Sequence, residues 1–224
     1  MRKFFIAAGH GGNDPGACAQ GTTEREENIR VVDAAVAFAK PYIPEDTKLV
    51  VVPHESAVIE TVRWINYNIT DKFHDLCLEV HHNSNLGSPG TGTEVWFGNY
   101  QLAKEVKDEV VGFMKLADRG VKASVWHYFN RATECASAIL EMGFINNPVD
   151  LEASRKYGGE ALGRAIVVAA GGEAVGAGPP EPPAAPPTDD EAIINVDEII
   201  RQIKDLLDDI RVFFSPSIPT VTAV

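Results

Sequence analysis

The feature that most constrains this chain is an apolar strand that breaks into a glycine-rich loop and then into a helix. Phe4, Phe5, Ile6 and Ala7 form a short continuous apolar run, as expected of a strand covered on both faces. His10 sits where that strand ends. Gly9, Gly11, Gly12, Pro15, Gly16 and Gly21 crowd the positions around and after it, and such residues let backbone turn tightly and approach a ligand closely. The loop closes on Thr22, Thr23 and Glu24, which opens a helix. A strand-end histidine and a first-turn carboxylate are thereby expected at one edge of a sheet, where open α/β folds place their sites.

Two more apolar runs end in groups capable of chemistry. Residues 76–85, L-C-L-E-V-H-H-N-S-N, carry His81 and His82 at the end of a strand pattern. Residues 136–144, A-S-A-I-L-E-M-G-F, hold Glu141 among Ile139, Leu140, Met142 and Phe144, and a carboxylate in such a run needs a partner or a function. Between these lie helical patterns over 24–40, 57–72, 102–116 and 159–170 and strand patterns over 49–52 and 93–97. Strands alternating with helices predict an α/β fold with helices on both faces of the sheet. Residues 83–92 read as a polar, glycine-rich loop suited to the rim of a groove.

With 224 residues the chain can hold one full domain and an appendage. A formal net charge of -12 argues against nucleic acid or an anionic membrane surface as partner. Cys18, Cys77 and Cys135 lack metal or redox spacing and are expected as small, reduced, buried thiols. His54, His74 and His127 belong to no motif and are expected to be surface or core residues.

From Gly171 to Pro187 the composition turns to glycine, alanine and proline, which predicts a linker over about 173–188. Residues 189–214 then read as one amphipathic helix. Val196, Ile199, Ile203, Leu206, Ile210 and Phe213 recur at spacings of three and four. Such a seam cannot bury itself alone. Self-association into a homo-oligomer through 193–214 is the first expectation and docking onto the preceding domain the second. Stable membrane insertion is disfavoured by the excess of acids on its polar face.

The motifs G-H-G-G-N-D-P-G-A from Gly9, T-x-E-x-x-x-N of Thr22, Glu24 and Asn28, V-H-H-N from Val80, and L-E-M-G-F-I-N-N-P from Leu140 stand in that order over residues 1–172. Together they resemble the zinc-dependent N-acetylmuramoyl-L-alanine amidases, which cleave peptidoglycan between the lactyl group of N-acetylmuramic acid and the L-alanine of the stem peptide. The resemblance implies a twisted mixed sheet of about six strands. It also implies one Zn2+ held by His10, Glu24 and His81, with Glu141 as general base and acid. The family's pattern places an asparagine four residues after its ligand, as Asn28 stands after Glu24, so the resemblance implies Glu24 and leaves Glu26 and Glu27 as solvated residues. Strand alternation sends His81 and His82 to opposite faces, so His82 becomes a supporting or groove residue. Asn83, Asn85 and Arg131 are further substrate-binding candidates.

The chemistry is consistent with that ligand set. Catalytic zinc sites take three protein ligands and leave a fourth position open, and two histidines with one glutamate are a known combination. Two other functions compete: a zinc carboxypeptidase or endopeptidase of wall peptides, and a catalytically silent wall-binding adapter. The charged start, Met1 to Lys3, is followed by an apolar run that stops at Ala8, too short for a secretory signal. A wall hydrolase of this kind is expected to be a phage lysin, made in the cytoplasm and released to the cell wall, with a processed autolysin as the rival.

Overall fold

The computed structural model describes residues 1–87, 89–173 and 175–176. The helix expected over 189–214, with its proposed role in self-association, lies outside the described residues, as does most of the expected linker. Strand β1 (Arg2–Ala8) leads through a two-residue hairpin, β2 (Cys18–Ala19) and β3 (Thr22–Thr23), into α1 (Glu24–Ala39). There follow β4 (Thr47–Val51), α2 (Val58–Asn68), β5 (Leu76–Asn83), β6 (Thr93–Phe97), α3 (Tyr100–Met114), β7 (Asp118–Ala123) and α4 (Tyr128–Ala132). The chain then forms β8 (Ala136–Phe144), α5 (Pro148–Ala153), a π turn over Ser154–Gly158, and α6 (Gly159–Ala169).

Six strands make one mixed sheet in the order β4-β1-β5-β8-β6-β7. β4, β1, β5 and β8 run parallel, β6 is antiparallel to β8, and β7 is parallel to β6. The chain leaves β1 for β4 on one side and then returns to pair β5 on the other. Such a reversal of strand order opens a crevice beyond the carboxyl ends of the strands, and His10 and His81 fall there.

Alternation along the strands divides the core between two faces. Phe4, Ile6, Leu78, Val80, Val95, Leu140 and Met142 pack with residues of α1, α3 and α6. Phe5, Ala7, Cys77 and Ile139 pack on the other face with Val62 and Ile65 of α2 and Phe129 of α4. The predicted fold class therefore holds, with helices on both faces of a six-stranded mixed sheet.

Three local expectations need correction. Residues 118–123, D-R-G-V-K-A, form an edge strand where no strand was expected, because an exposed edge carries no apolar alternation to betray it. Glu27, expected to be solvated, is fully buried, where it pairs with Arg30 and with Arg155 Nη2 at 2.6 Å. Cys18, expected as a buried thiol, is exposed on the hairpin, whereas Cys77 and Cys135 are buried.

Asp150 locks the carboxyl end of β8 in place. Its side chain is inaccessible and accepts from Thr91 Oγ1 (2.7 Å), Gly92 N (2.8 Å) and Phe144 N (3.0 Å). Replacing it by alanine strands all three donors, at a cost on the order of 3–5 kcal/mol. Asp150→Ala is therefore expected to lower the thermal unfolding midpoint by about 10 °C for a domain of this size. A midpoint within about 2 °C of the parent would contradict this account of the β6–β8 junction.

Candidate active site

The site is built from the first loop inward. His10 takes a left-handed backbone conformation, φ 65°, which is uncommon outside glycine and recurs at functional positions. That turn aims its ring back over the sheet edge, and Asp14 Oδ2 holds Nδ1 at 2.8 Å. Gly16 must also be glycine: at φ 67° a Cβ there would stand 2.7 Å from His10 Cδ2 and 2.8 Å from Glu24 Oε2. Gly9 is constrained likewise, since a Cβ on it would strike the imidazole of His81.

Glu24 is presented by the first turn of α1. Thr23 caps that helix by accepting from Glu26 N, and Glu26 returns the contact to Thr23 N at 3.0 Å. Glu24 N donates to Ala17 O (2.8 Å) and Glu24 Oε2 accepts from Ala17 N (3.0 Å), which ties the glycine loop to the helix. The other oxygen, Oε1, lies 3.0 Å from His10 Nε2 and 2.9 Å from His81 Nδ1. It also accepts from His82 N at 3.2 Å.

His81 reaches this point from the end of β5. Its ring meets that of His10 edge-on, with centroids 4.9 Å apart. The ligand-type atoms of His10, Glu24 and His81 all lie within 4.8 Å of one another. A borderline cation such as Zn2+ suits this set of two imidazoles and a carboxylate. Burial works against ionisation of Glu24, yet hydrogen bonds to His10 and His81 hold its carboxyl far below the usual range. Burial would likewise lower the pKa of His81, but hydrogen bonds to Glu24 and Glu79 outweigh it and raise it well above the ordinary value.

Glu141 stands beside these groups on β8, in register with His81 on one side and Glu94 of β6 on the other. Its Oε2 is sealed from solvent and has no hydrogen-bond partner among the described residues. Burial first, then the charges of Glu24 and Glu94, push its pKa up to about 7, against an opposing effect of His81. A partnerless carboxyl oxygen beside a three-ligand cluster fits a centre that further groups complete.

The substrate-binding candidates divide. His82 is 1 % exposed on the opposite face, between Asn28 Oδ1 and Ser154 Oγ at 2.7 Å each. Burial lowers its pKa to about 4, so it is a neutral strut beneath Glu24 and presents nothing to a groove. Asn28 completes that strut by donating to Gly9 O at 2.9 Å. Asn83 is half-buried and donates to Glu94 Oε1 at 3.1 Å. Asn85 is exposed, and its carbonyl accepts from Asn146 Nδ2 at 2.8 Å. Arg131 is exposed on α4, a helix on the same face as Glu141.

Sequence inspection passed over Asp14, Glu79 and Glu94. Glu94 is buried next to Glu141 and is held by Arg119 Nε (2.6 Å) and Lys122 Nζ (2.5 Å). For Glu79 a signal existed: it stands two residues before His81, hence on the same face of β5.

The family described as N-acetylmuramoyl-L-alanine amidase matches residues 4–170. The chain is 29% identical over 158 residues to YqiI of Bacillus subtilis, an uncharacterised protein, covering 67% of this chain and 74% of that one. It is 26% identical over 164 residues to the N-acetylmuramoyl-L-alanine amidase LytC of the same organism, covering 66% of this chain but 30% of LytC. The crystal structure of the N-acetylmuramoyl-L-alanine amidase from Clostridium difficile 630 superposes with a TM-score of 0.65 at 22% identity, over 75% of this chain and 94% of that one. With a family match over nearly all of its described residues, and with the motif residues assembled at one sheet edge, the chain belongs to the N-acetylmuramoyl-L-alanine amidases.

Proposed function

We propose that this chain hydrolyses the amide between the lactyl group of N-acetylmuramic acid and L-alanine in peptidoglycan, with one Zn2+ held by His10, Glu24 and His81. The observation that carries this is the convergence of those three side chains beside a fourth group, Glu141, that is not needed to hold the ion. When bound, the ion supplies Lewis acidity, polarising the scissile carbonyl and acidifying water.

The remaining work falls to the protein. Glu141, whose pKa is about 7 in the metal-free site and would be lowered by the charge of the ion, is ionised at neutral pH and takes the proton of the attacking water. The same carboxyl then delivers that proton to the alanine nitrogen as the C–N bond breaks, which returns it to its starting state. Glu24 is held as a carboxylate by its two imidazole partners in the metal-free site, ready to serve as a ligand. His82 and Asn28 keep the frame rigid beneath both.

The family match ends at residue 170, and this supports a catalytic domain over 1–172. A linker over 173–188 and a C-terminal segment over 189–224, whose helix over 189–214 joins copies through 193–214, complete the proposed organisation. Phage lysin and autolysin would share this site and differ in how they reach the wall.

Mass analysis of digested peptidoglycan, with and without chelator, tests the bond and the metal together. New L-alanine amino groups on intact stem peptides, lost on chelation, are expected. Trimmed stems would indicate a carboxypeptidase and no products an adapter. Glu141→Ala should retain stoichiometric zinc and lose at least about 100-fold in rate. Retained turnover would remove Glu141 from its role.

A second expectation concerns protonation. In metal-free protein, 13C NMR of the Glu141 carboxyl should show a midpoint about 7 rather than that of an ordinary glutamate. Zinc should bring it down, since added positive charge favours the carboxylate. The rate should rise with pH as this group ionises. A midpoint near the ordinary value, unmoved by zinc, would contradict the assignment.

A further inference from the structure

Residues two apart on β5 share a face, so Glu79 lies beside His81, one step deeper into the sheet. Its register partners are Ala7 on β1 and Ile139 on β8, and the residue is 3 % exposed. A carboxylate set between alanine and isoleucine is costly unless its charge is compensated. The group it faces is His81, whose Nε2 stands 3.2 Å from Glu79 Oε2.

The two imidazoles of the site are arranged alike. Each turns one nitrogen inward to Glu24 Oε1: His10 by Nε2 at 3.0 Å, His81 by Nδ1 at 2.9 Å. Each sets its outer nitrogen against a second carboxylate: His10 Nδ1 against Asp14 at 2.8 Å, His81 Nε2 against Glu79 at 3.2 Å. A neutral imidazole has one N–H and one lone pair, and a carboxylate accepts but cannot donate. With a cation at the point that Glu24 also faces, the outer carboxylates would keep the protons outside and leave both inner lone pairs to the ion. The two are unequal in setting, since the Asp14 side chain is 60% exposed and that of Glu79 4%. Solvent screens the first charge and leaves the second almost at full strength.

Resting on the zinc assignment above, we propose that Glu79 is a positioning residue for the metal centre. It fixes His81 as the Nε2–H tautomer with Nδ1 directed to the cation, and its buried charge, together with that of Glu24, balances the two positive charges of the ion. Glu79 does not touch the substrate or the reacting atoms. Outer carboxylates on metal-bound histidines commonly account for about 10–100-fold in metal affinity.

The test is zinc affinity, read by competition with a fluorescent chelator, in the full chain and in Glu79→Gln and Glu79→Ala. Glutamine can still accept from Nε2–H but carries no charge, so it separates the hydrogen bond from the electrostatics. Both variants are expected to bind zinc at least about tenfold more weakly, alanine the more so. Glu79→Gln keeps an acceptor for His81 Nε2 and is expected to hold the metal-free unfolding midpoint close to that of the parent, whereas Glu79→Ala leaves that nitrogen unpaired and lowers it. Histidine 15N NMR of the zinc-loaded parent should show His81 protonated at Nε2 with slow exchange of that proton, and fast exchange in Glu79→Ala. Parent-like zinc affinity in both variants overturns the proposal, as does weaker binding by Glu79→Gln that merely tracks a lower metal-free midpoint. A parent chain that binds no zinc would overturn the metal assignment itself, whereas tight binding by parent and variants alike would overturn only the role of Glu79.

Discussion

Glu24 Oε1 lies 3.0 Å from His10 Nε2 and 2.9 Å from His81 Nδ1, and much of the domain serves to bring these atoms together. They come from the loop after β1, the first turn of α1 and the end of β5, each placed by a different device. The loop depends on glycine at positions 9 and 16, where no Cβ fits, and on a left-handed His10. The helix start depends on the Thr23 cap and on the reciprocal hydrogen bonds between Glu24 and Ala17. The strand end depends on parallel pairing of β5 with β1 and β8, with His82 pinned below to Asn28 and Ser154. Two half-buried imidazoles and a buried carboxylate this close together gain most when a cation joins them.

The environment divides labour between two glutamates on neighbouring elements. Glu24 meets two imidazoles and two backbone amides, which favour its charged form. Glu141 lies where burial dominates and where Glu24 and Glu94 both add negative charge, so it holds its proton to about pH 7. One carboxyl is held as an anion and the other keeps its proton to near neutral pH, without any difference in side-chain chemistry. Glu94 takes part in this contrast from the neighbouring strand. Its own charge is maintained by Arg119 and Lys122 on β7, so the edge strand helps to set the properties of the neighbouring acid.

Much of this was legible in the chain itself, and what escaped has physical reasons. The central strands could be read because burial on both faces demands apolar runs, as in Phe4–Ala7 and residues 136–144. His10, His81 and Glu141 could be read because each interrupts or ends such a run, and Glu24 because it opens the helix after the glycine loop, four residues before Asn28. β7 could not, since its exposed edge tolerates D-R-G-V-K-A. Glu27 looked like a helix-start acid complementing the dipole, and its burial depends on Arg155, which is remote in sequence. His82 could be assigned to the opposite face by alternation, but its closure between Asn28 and Ser154 is a tertiary fact. Local pattern thus reveals which groups reach the sheet edge, whereas long-range pairing decides which of them remain available to a substrate.

The central claim is that His10, Glu24 and His81 share one divalent cation while Glu141 stays unbound beside it. An anomalous difference map collected at the zinc absorption edge from crystals of zinc-loaded protein tests it most directly. The account predicts one strong peak about 2.0–2.2 Å from His10 Nε2, His81 Nδ1 and a carboxylate oxygen of Glu24, with Glu141 outside bonding distance. A peak elsewhere, or one that includes Glu141 among its ligands in place of any of the three, would contradict it.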